Sequence, residues 1–191
     1  SIERITGSSW QDVFYGDGNQ NDFRGLGGYD WFVGSSGGRE RYFGGSGVDT
    51  MTYYKSTSGV TASLSNGAKD KDGNETGYGS GGDASRDLYF EMENLVGTNF
   101  DDSLAGNKGR NELNGMDGDD FLFGYDGIDQ LRGGRGSDTI DGGAGSDTAL
   151  FDANIGEYTV TKMSSNTVHV VAGGDTDILT DVEYFQFADT T

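Results

Sequence analysis

Acidic and amide side chains recur every nine residues between Gly97 and Leu150, always at the sixth place of a row that begins with glycine. These sixth-place residues are Asp102, Asn111, Asp120, Asp129, Asp138 and Asp147. Carboxylate and carbonyl oxygens that converge on one point form a cage for a hard cation, and such a cage suits Ca²⁺ above all. The sixth-place residues are therefore candidate calcium ligands.

The rest of each row specifies how these side chains are positioned. Glycines at the start of a row permit a tight turn with positive φ, and the polar–apolar–polar ending forms a short strand with one inward side chain. Each row is then half of a coil, so alternate rows stack and bring their sixth-place side chains together. The predicted pairs are Asp102/Asp120, Asn111/Asp129, Asp120/Asp138 and Asp129/Asp147. The inward residues at the eighth place are Leu104, Leu113, Leu122, Leu131, Ile140 and Ala149.

An earlier tract, Gly7–Thr52, repeats the pattern with bulkier inward residues. Its sixth-place residues are Asp12, Asn21, Asp30, Glu40 and Asp49, where Glu40 fits only if one residue is inserted into its row. Stacking pairs Asp12 with Asp30, and Asp30 with Asp49, which makes these three aspartates further candidate ligands. The alternate edge, with Asn and Glu, departs from the pattern, and a metal site there is not part of the prediction.

The rows resemble the RTX (repeats-in-toxin) family of hemolysin-type calcium-binding nonapeptide repeats, whose consensus is G-G-x-G-x-D-x-U-x with U a large apolar residue. Gly133–Asp141 and Gly142–Leu150 match it best. The resemblance implies a Ca²⁺-dependent parallel β-roll carried by proteins exported through type I secretion. It also implies ligands from turn carbonyls, which we place at Gly134, Gly136, Gly143 and Gly145. Toxins, adhesins, proteases, lipases and alginate epimerases share these repeats, so the resemblance does not specify the parent protein's activity.

The composition favours a chain stabilised by metal. The 191 residues include 35 glycines, no proline and no cysteine, and the formal charge is −19. Such a charge with only 32 % hydrophobic residues is typical of disorder, but on the order of six Ca²⁺ ions would bring it to about −7. The lack of cysteine fits an exported protein held by metal rather than by disulfides. The acidity argues against nucleic acid as a partner, and no segment is long and apolar enough to predict a membrane span.

The sequence divides into four parts: 1–52, the first roll tract; 53–96, lead-in strands and a mobile loop; 97–150, the second roll tract; and 151–191, a capping hairpin and tail. The loop is predicted at Asn66–Ser85, where glycine and charge are dense without periodicity. Two alternating segments, Tyr158–Thr161 and Thr167–Val171, predict the hairpin. Residues 87–95 align without a gap with residues 177–185. We therefore expect a modular chain cut from a longer, repetitive protein.

Other motifs give no support for catalysis. His169 is the only histidine, which excludes a His-Glu-x-x-His zinc helix. Gly34–Gly38 formally fits the nucleophile-elbow pattern but lies inside a turn row rather than between a strand and a helix. Asp70–Asn74 begins like an EF-hand loop, yet Gly79 occupies the place of its bidentate Glu. We therefore predict no catalytic site in these residues.

Two surface features leave an alternative open. The seventh and ninth places point outward, and their large side chains include Val13, Tyr15, Trp31, Val33, Phe121 and Phe123. We expect these to pack under the lead-in segments or the tail, because the roll needs cover. A basic patch of Arg24, Arg39 and Arg41 is expected to neutralise Glu40 and nearby acids. The alternative is that aromatic and basic side chains together bind a sugar polymer.

The sequence thus predicts an all-β chain: a right-handed parallel β-roll (a β-solenoid) with an inserted loop segment and a C-terminal β-hairpin cap, as one solenoid or two rolls. The predicted function is a non-catalytic calcium-binding module of a secreted or cell-surface protein. It folds on extracellular Ca²⁺ and supports type I secretion, stability and presentation of the parent protein. The alternative is a polysaccharide- or surface-binding module of an adhesin or of an extracellular carbohydrate-active enzyme such as an alginate epimerase. Any catalytic domain would then lie outside these residues.

Overall fold

The computed structural model describes residues 3–65 and 76–190, and it is built almost entirely from short strands. The strands are β1 (Glu3–Thr6), β2 (Val13–Tyr15), β3 (Asn21–Gly28), β4 (Trp31–Val33), β5 (Arg41–Gly47), β6 (Thr50–Thr52), β7 (Thr61–Ser63), β8 (Thr76–Ser80), β9 (Leu88–Phe90), β10 (Asn94–Val96), β11 (Ser103–Ala105), β12 (Glu112–Asp117), β13 (Phe121–Phe123), β14 (Asp126–Gly127), β15 (Gln130–Arg135), β16 (Thr139–Asp141), β17 (Ala144–Gly145), β18 (Thr148–Leu150), β19 (Thr159–Lys162), β20 (Thr167–Ala172), β21 (Asp175–Thr180) and β22 (Tyr184–Gln186). Two single-turn 3₁₀ segments, Gly82–Ala84 and Ile155–Glu157, complete the described elements.

Two sheets, here called the long sheet and the short sheet, face each other across the core. The long sheet has the order β1-β3-β5-β9-β8-β7-β11-β13-β16-β21-β20-β19, and the short sheet has the order β2-β4-β6-β10-β12-β15-β18-β22. Successive rows alternate between the two sheets, and alternate rows pair in parallel and in register. Leu104, for example, lies beside Leu122, which lies beside Ile140. The predicted parallel β-roll is confirmed.

The core is a double file of eighth-place side chains between the two sheets. Leu104, Leu113, Leu122 and Leu131 are completely buried, and full burial of such a side chain contributes about 1.5–3 kcal/mol. In the first tract the files are aromatic: Phe14 stacks on Phe32 with ring centroids 4.9 Å apart, and Phe23 stacks on Tyr42 at 5.4 Å. Because each three-residue strand of the second tract buries only one side chain, stability comes from stacking many rows.

The two roll tracts belong to one continuous stack. Strand β10 lies between β6 of the first tract and β12 of the second, with Leu95 beside both Met51 and Leu113. In the long sheet the connection is made by β7, β8 and β9, which are joined by antiparallel pairing. The choice that the sequence left open, one solenoid or two rolls, is therefore settled in favour of one stack.

The predicted mobile loop at Asn66–Ser85 is wrong over its second half. Thr76–Ser80 forms strand β8, which pairs with β7 on one side and β9 on the other. Gly77 and Gly79 allow it, because a Cβ at either position would collide with neighbouring atoms of the stack. Dense glycine here marks close packing rather than mobility. Residues 66–75, including the EF-hand-like Asp70–Asn74, lie outside the described residues.

The C-terminal hairpin forms as predicted and extends the long sheet. Strands β19 and β20 pair antiparallel, β20 pairs with β21, and β21 stacks in parallel on β16. Beside it, the rings of Phe151, Tyr158 and Phe187 pack together, with centroids 5.0–5.3 Å apart. This aromatic cluster covers the end of the leucine files. No helix in the described ranges is long and apolar enough to cross a membrane.

Candidate metal sites

The sixth-place side chains form two columns, one along each sheet. The short-sheet column contains Asp12, Asp30, Asp49, Glu93, Asn111, Asp129, Asp147 and Glu183. The long-sheet column is split by the antiparallel insert into Asn21, Glu40 and Asp87 on one side, and Asp102, Asp120, Asp138 and Asp177 on the other. All the predicted pairs of sixth-place residues occur as neighbours in these columns.

In every column aspartate except Asp12, one carboxylate oxygen ties neighbouring rows together. In the long-sheet column, the main-chain N–H of Asp102 donates to Oδ1 of Asp120 at 2.7 Å, and that of Asp120 donates to Oδ1 of Asp138 at 2.9 Å. In the short-sheet column, the bonds run from Asp12 to Asp30, Asp30 to Asp49, Asn111 to Asp129 and Asp129 to Asp147, at 2.8–2.9 Å. The repeated bond fixes the height and direction of every carboxylate.

The other oxygen of most of these aspartates is buried and has no hydrogen-bond partner among the described residues. This holds for Oδ2 of Asp30, Asp49, Asp120, Asp129, Asp138 and Asp147. A buried, unpaired polar atom costs about 1–3 kcal/mol, and more when it is charged. A cation bound to these oxygens removes that cost, so the donor set fits Ca²⁺.

The orphaned oxygens face a space that glycine keeps open. A Cβ added at Gly115 would collide with Oδ2 of Asp120 and lie 2.7 Å from the carbonyl oxygen of Gly133. A Cβ added at Gly124 would lie 2.5 Å from both Oδ2 of Asp129 and the carbonyl oxygen of Gly142. Both of these spaces are lined by one carboxylate oxygen and one glycine carbonyl. Across residues 3–65 and 76–190 no group of three or more acidic, histidine or cysteine side chains converges, so a ligand shell must draw on the main chain.

Three predicted ligands lack an orphaned oxygen. Asp12 Oδ2 accepts bonds from Ser8, and both oxygens of Asp102 accept bonds from Thr98 or the N–H of Val60. Asn111 donates its amide to the carbonyl of Glu93, at 2.7 Å, and accepts the N–H of Asn107. Asp12 begins its column, where Ser8 of its own row is the donor, and Asp102 follows β7, where Val60 donates across the rows and Thr98 occupies the other oxygen. Their role as ligands stays a prediction.

Burial raises the pKa of the column carboxyls. The pKa of Asp120 is raised to about 8, first by burial and then by the charges of Asp102 and Asp138. Burial raises the pKa of Asp138 to about 7, and those of Asp49 and Asp129 to about 6. Without a cation, ionising these carboxyls in the folded state therefore costs stability. With a divalent cation they are held ionised, because the ligand is the carboxylate.

The predicted carbonyl ligands lie in turns with positive φ. The φ angles of Gly134, Gly136, Gly143 and Gly145 are 117°, 123°, 90° and 157°. The same turn forms where the second place is not glycine, with φ of 81° at Leu26, 87° at Met116 and 74° at Tyr125. The turn geometry is therefore set by the row and not by any single glycine. The assignment of these carbonyls as ligands remains a prediction.

Four acidic residues in the columns were not predicted from sequence. Glu93 and Glu183 accept the main-chain N–H of Asp49 and Asp147, both at 2.8 Å, and Asp177 accepts that of Asp138 at 3.0 Å. Asp87 accepts that of Glu40 at 3.1 Å. The sequence could have revealed these residues, because the alignment of residues 87–95 with 177–185 places Asp87 on Asp177 and Glu93 on Glu183. Each acid stands two residues before an inward apolar side chain, as in a row.

The outward side chains do not pack as expected. Four of the six predicted outward side chains are 41–56 % exposed: Val13, Tyr15, Trp31 and Phe121. Among the six, only Val33 is buried. The lead-in strands enter the sheets and so cannot cover them, which overturns the expectation of packing under these segments. Arg41 binds buried Asp22 through two hydrogen bonds, so it neutralises a nearby acid as predicted, but not Glu40. Arg24 stacks on the ring of Phe43 at 4.3 Å, and Arg39 is exposed.

Comparison with known families matches residues 96–131 and 123–153 to the RTX calcium-binding nonapeptide repeat, in four copies. No curated protein matches the chain. The matched residues contain the second roll tract, in which the orphaned oxygens of Asp120, Asp129, Asp138 and Asp147 lie. These residues are thus RTX repeats, and the chain contains a calcium-binding β-roll module. The first tract lies outside the match and joins the module through strand register.

Proposed function

We propose that this chain is a module of a secreted protein that folds when it binds extracellular Ca²⁺. The observation that carries the proposal is the row of orphaned, buried carboxylate oxygens, each beside the glycine that opens its row. At Asp30, Asp120 and Asp129 a glycine carbonyl oxygen lines the same space. The stack places these carboxylates on neighbouring strands, which are about 4.8 Å apart. Folding without cations would bring like charges together in a buried environment, so the folded state depends on the ion.

Calcium supplies the positive charge and the oxygen coordination that the columns lack. We place it between neighbouring members of a column, with Asp30, Asp49, Asp120, Asp129, Asp138 and Asp147 as the carboxylate ligands. Asp12 and Asp102, together with Asn111 within the short-sheet column, complete the ligand set. Carbonyls of the turns, including Gly134, Gly136, Gly143 and Gly145, provide the remaining oxygens. About six ions would then be bound, which reduces the net charge from −19 to about −7.

The dependence on Ca²⁺ suits a protein that crosses a membrane unfolded. In the cytosol, where Ca²⁺ is scarce, the carboxylates repel and the chain stays in an exportable state. Outside the cell, millimolar Ca²⁺ exceeds the ~10⁻⁴–10⁻³ M affinities of extracellular modules, and each bound ion stabilises the folded state by linkage. Type I secretion is the export route that we propose. The module itself is non-catalytic, and it supports the stability and presentation of its parent protein.

The proposal is tested by the size of the purified chain in small-angle X-ray scattering. In chelator we expect a radius of gyration of roughly 47 Å, the value for an unfolded chain of this length. With millimolar Ca²⁺ we expect a value nearer to about 16 Å, somewhat larger because a solenoid is elongated. Mg²⁺ at the same concentration is the control and should not compact the chain, because it demands a smaller octahedral site. A chain already compact in chelator would contradict the proposal.

The exposed aromatic face of the short sheet favours a second candidate function, binding of an extracellular polysaccharide. Tyr15, Trp31 and Tyr54 line a groove on this face, and the Lys55 ammonium lies 4.6 Å from the ring centroid of Tyr15. Flat aromatic faces beside a cation suit stacking on an anionic sugar. Retention on an alginate affinity gel tests this candidate. Trp31→Ala should abolish retention while Phe121→Ala, on the other sheet, preserves it. Equal retention of both variants and the parent chain would exclude this face.

A further inference from the structure

The long-sheet column contains one pair of acids that differs from all the others. Glu40 and Asp87 lie on neighbouring rows, before the paired strands β5 and β9, and both are completely buried. The main-chain N–H of Glu40 donates to Oδ1 of Asp87 at 3.1 Å, which is the same bond that links aspartates elsewhere in the columns. The pair therefore occupies a position at which the roll otherwise presents an oxygen to a cation.

At this position the second oxygen of Asp87 is not orphaned. It accepts a hydrogen bond of 2.8 Å from the hydroxyl of Tyr53, which in turn lies 2.6 Å from the hydroxyl of Tyr89. Glu40 Oε1 accepts a bond of 3.1 Å from Ser35, whereas Glu40 Oε2 is buried with no partner among the described residues. Asp87 is thus fully engaged by protein donors, and one oxygen of Glu40 still lacks a proton donor.

The ring of Tyr53 fills the space that glycine keeps open in other rows. Tyr53 follows Thr52 at the place where each regular row has its first glycine. A Cβ added at Gly34, in the neighbouring row, would collide with the Tyr53 ring, whereas one added at Gly25 would collide with the carboxylate of Asp30. A tyrosine side chain therefore occupies the volume in which a carboxylate oxygen and a carbonyl elsewhere face each other.

We propose that Glu40 and Asp87 share one proton, and that this protonated pair joins the two rows without calcium. The proton on one carboxyl donates to the other and satisfies the orphaned oxygen of Glu40. The titratable groups that interact with the pair are Tyr42, Tyr53 and Tyr89, and Asp83 acts on Tyr42; none of these supplies positive charge. Of the arginines adjacent in sequence, Arg41 binds Asp22, and Arg39 and Arg86 are exposed. No lysine or arginine in residues 3–65 and 76–190 forms an ion pair with either carboxyl.

The electrostatic surroundings agree with a retained proton. Burial, followed by the hydrogen bond and charge of Glu40, raises the pKa of Asp87 to about 9. Burial also raises the pKa values of the Tyr53 and Tyr89 hydroxyls well above their ordinary range, so both phenols stay neutral donors. Two ionised carboxylates side by side in this enclosure would have no counter-charge.

The shared proton makes the first tract sensitive to pH in a direction opposite to that of a calcium site. The folded state binds one proton more than the unfolded chain between the unfolded pKa near 4 and the folded pKa of about 9. Stability is therefore greatest at acidic pH and decreases as pH rises towards 9, by up to about tenfold in the folding equilibrium constant per pH unit. A carboxylate that binds Ca²⁺ instead gains affinity as pH rises.

The test is chemical denaturation of the full chain at saturating Ca²⁺ between pH 6 and pH 9, where the calcium ligands are held ionised. We expect the parent chain to lose stability as pH rises, and Glu40→Gln to remove most of that dependence, since the amide donates permanently to Asp87. Asp87→Asn provides the same donor from the other side and serves if the first variant folds poorly. Calcium stoichiometry, measured by calorimetry, should be unchanged in Glu40→Gln and reduced in the control Asp129→Asn.

Two results would overturn the proposal. One is a Glu40→Gln variant that binds fewer calcium ions than the parent, which would make the pair a metal site. The other is a parent chain whose stability at saturating Ca²⁺ does not fall between pH 7 and pH 9. The calcium stoichiometry and the pH dependence of stability both test this pair separately from the proposed calcium-induced folding. If the chain folded without Ca²⁺, the effect of Glu40→Gln on the pH dependence would still be measurable.

Discussion

The main-chain N–H of Asp120 donates a 2.9 Å hydrogen bond to Oδ1 of Asp138, while Oδ2 of Asp138 is buried without a partner in the described part of the chain. The two residues are separated by 18 positions, which is one full coil of two rows. One oxygen of each aspartate therefore holds the stack together, and the other is free for a cation. In the proposed calcium-binding function, stacking and ion binding thus depend on the same side chain.

Replacing a column aspartate should weaken calcium-dependent folding. In Asp129→Asn we expect the Ca²⁺ midpoint of folding to rise by roughly tenfold or more, since loss of a charged contact costs about 1.5–3 kcal/mol. The matched control is Asp126→Asn, which removes the same charge from an exposed position of the same row. Far-UV circular dichroism titrations measure both midpoints. Equal shifts in the two variants would show that only net charge matters.

Truncating an inward side chain should lower the free energy of unfolding far more than truncating an outward one. Leu122 is completely buried and Phe121, the residue before it, is half exposed. We expect Leu122→Ala to lower the free energy of unfolding in Ca²⁺ by about 2–5 kcal/mol, and Phe121→Ala to change it by about 0.5 kcal/mol or less. Urea denaturation at saturating Ca²⁺ gives both values. Similar losses in the two variants would contradict the assignment of faces.

Replacing a non-glycine residue by glycine at the second place of a row should stabilise the roll. Tyr125 has φ of 74° and an exposed side chain, and the left-handed conformation costs a non-glycine residue roughly 1–2 kcal/mol. We expect Tyr125→Gly to raise the thermal midpoint in Ca²⁺, because relief of this strain exceeds the entropy cost of a new glycine. Ile128→Gly, in the same turn but without positive φ, should lower the midpoint. Calorimetric scans of both variants test this, and a lower midpoint in Tyr125→Gly would refute it.

Acid should partly replace calcium. Burial raises the pKa of Asp120 to about 8 and that of Asp138 to about 7, so the ion-free folded state binds more protons than the unfolded chain between about pH 4 and those values. Its stability is therefore greatest at low pH and is lost as pH rises through 7 to 8. We expect metal-free protein to gain β-sheet signal on acidification from pH 8 to pH 5. The double variant Asp120→Asn/Asp138→Asn should show a smaller change, and an acid-induced loss of signal would contradict the sign.

Much of the fold was accessible from sequence because a nonapeptide row encodes its own turn, strand and inward side chain. The register of Leu104, Leu122 and Ile140 follows from counting nine residues, and so do the paired aspartates. The lead-in residues Glu93 and Glu183 were missed because they stand in segments without glycine rows, although the two lead-ins align. Strand β8 was read as a loop, since glycines that permit close packing and glycines that permit mobility look alike in sequence.

The site at Glu40 and Asp87 was inaccessible for a different reason. Its chemistry depends on Tyr53, which is distant in sequence from Asp87 and replaces a glycine that the row pattern would require. Only the stacked rows bring its hydroxyl to the carboxylate, at 2.8 Å. Likewise, the exposure of Tyr15 and Trp31 depends on where the lead-in strands lie. Long-range placement of this kind is not specified by periodicity.

The central claim is that calcium and folding are coupled, and the most direct measurement is a far-UV circular dichroism titration of the purified chain with Ca²⁺. We predict little β-sheet signal in chelator at neutral pH and a cooperative rise at sub-millimolar to millimolar Ca²⁺. The same concentrations of Mg²⁺ should leave the spectrum unchanged. A spectrum that is already fully β-structured in chelator, and indifferent to Ca²⁺, would contradict the account.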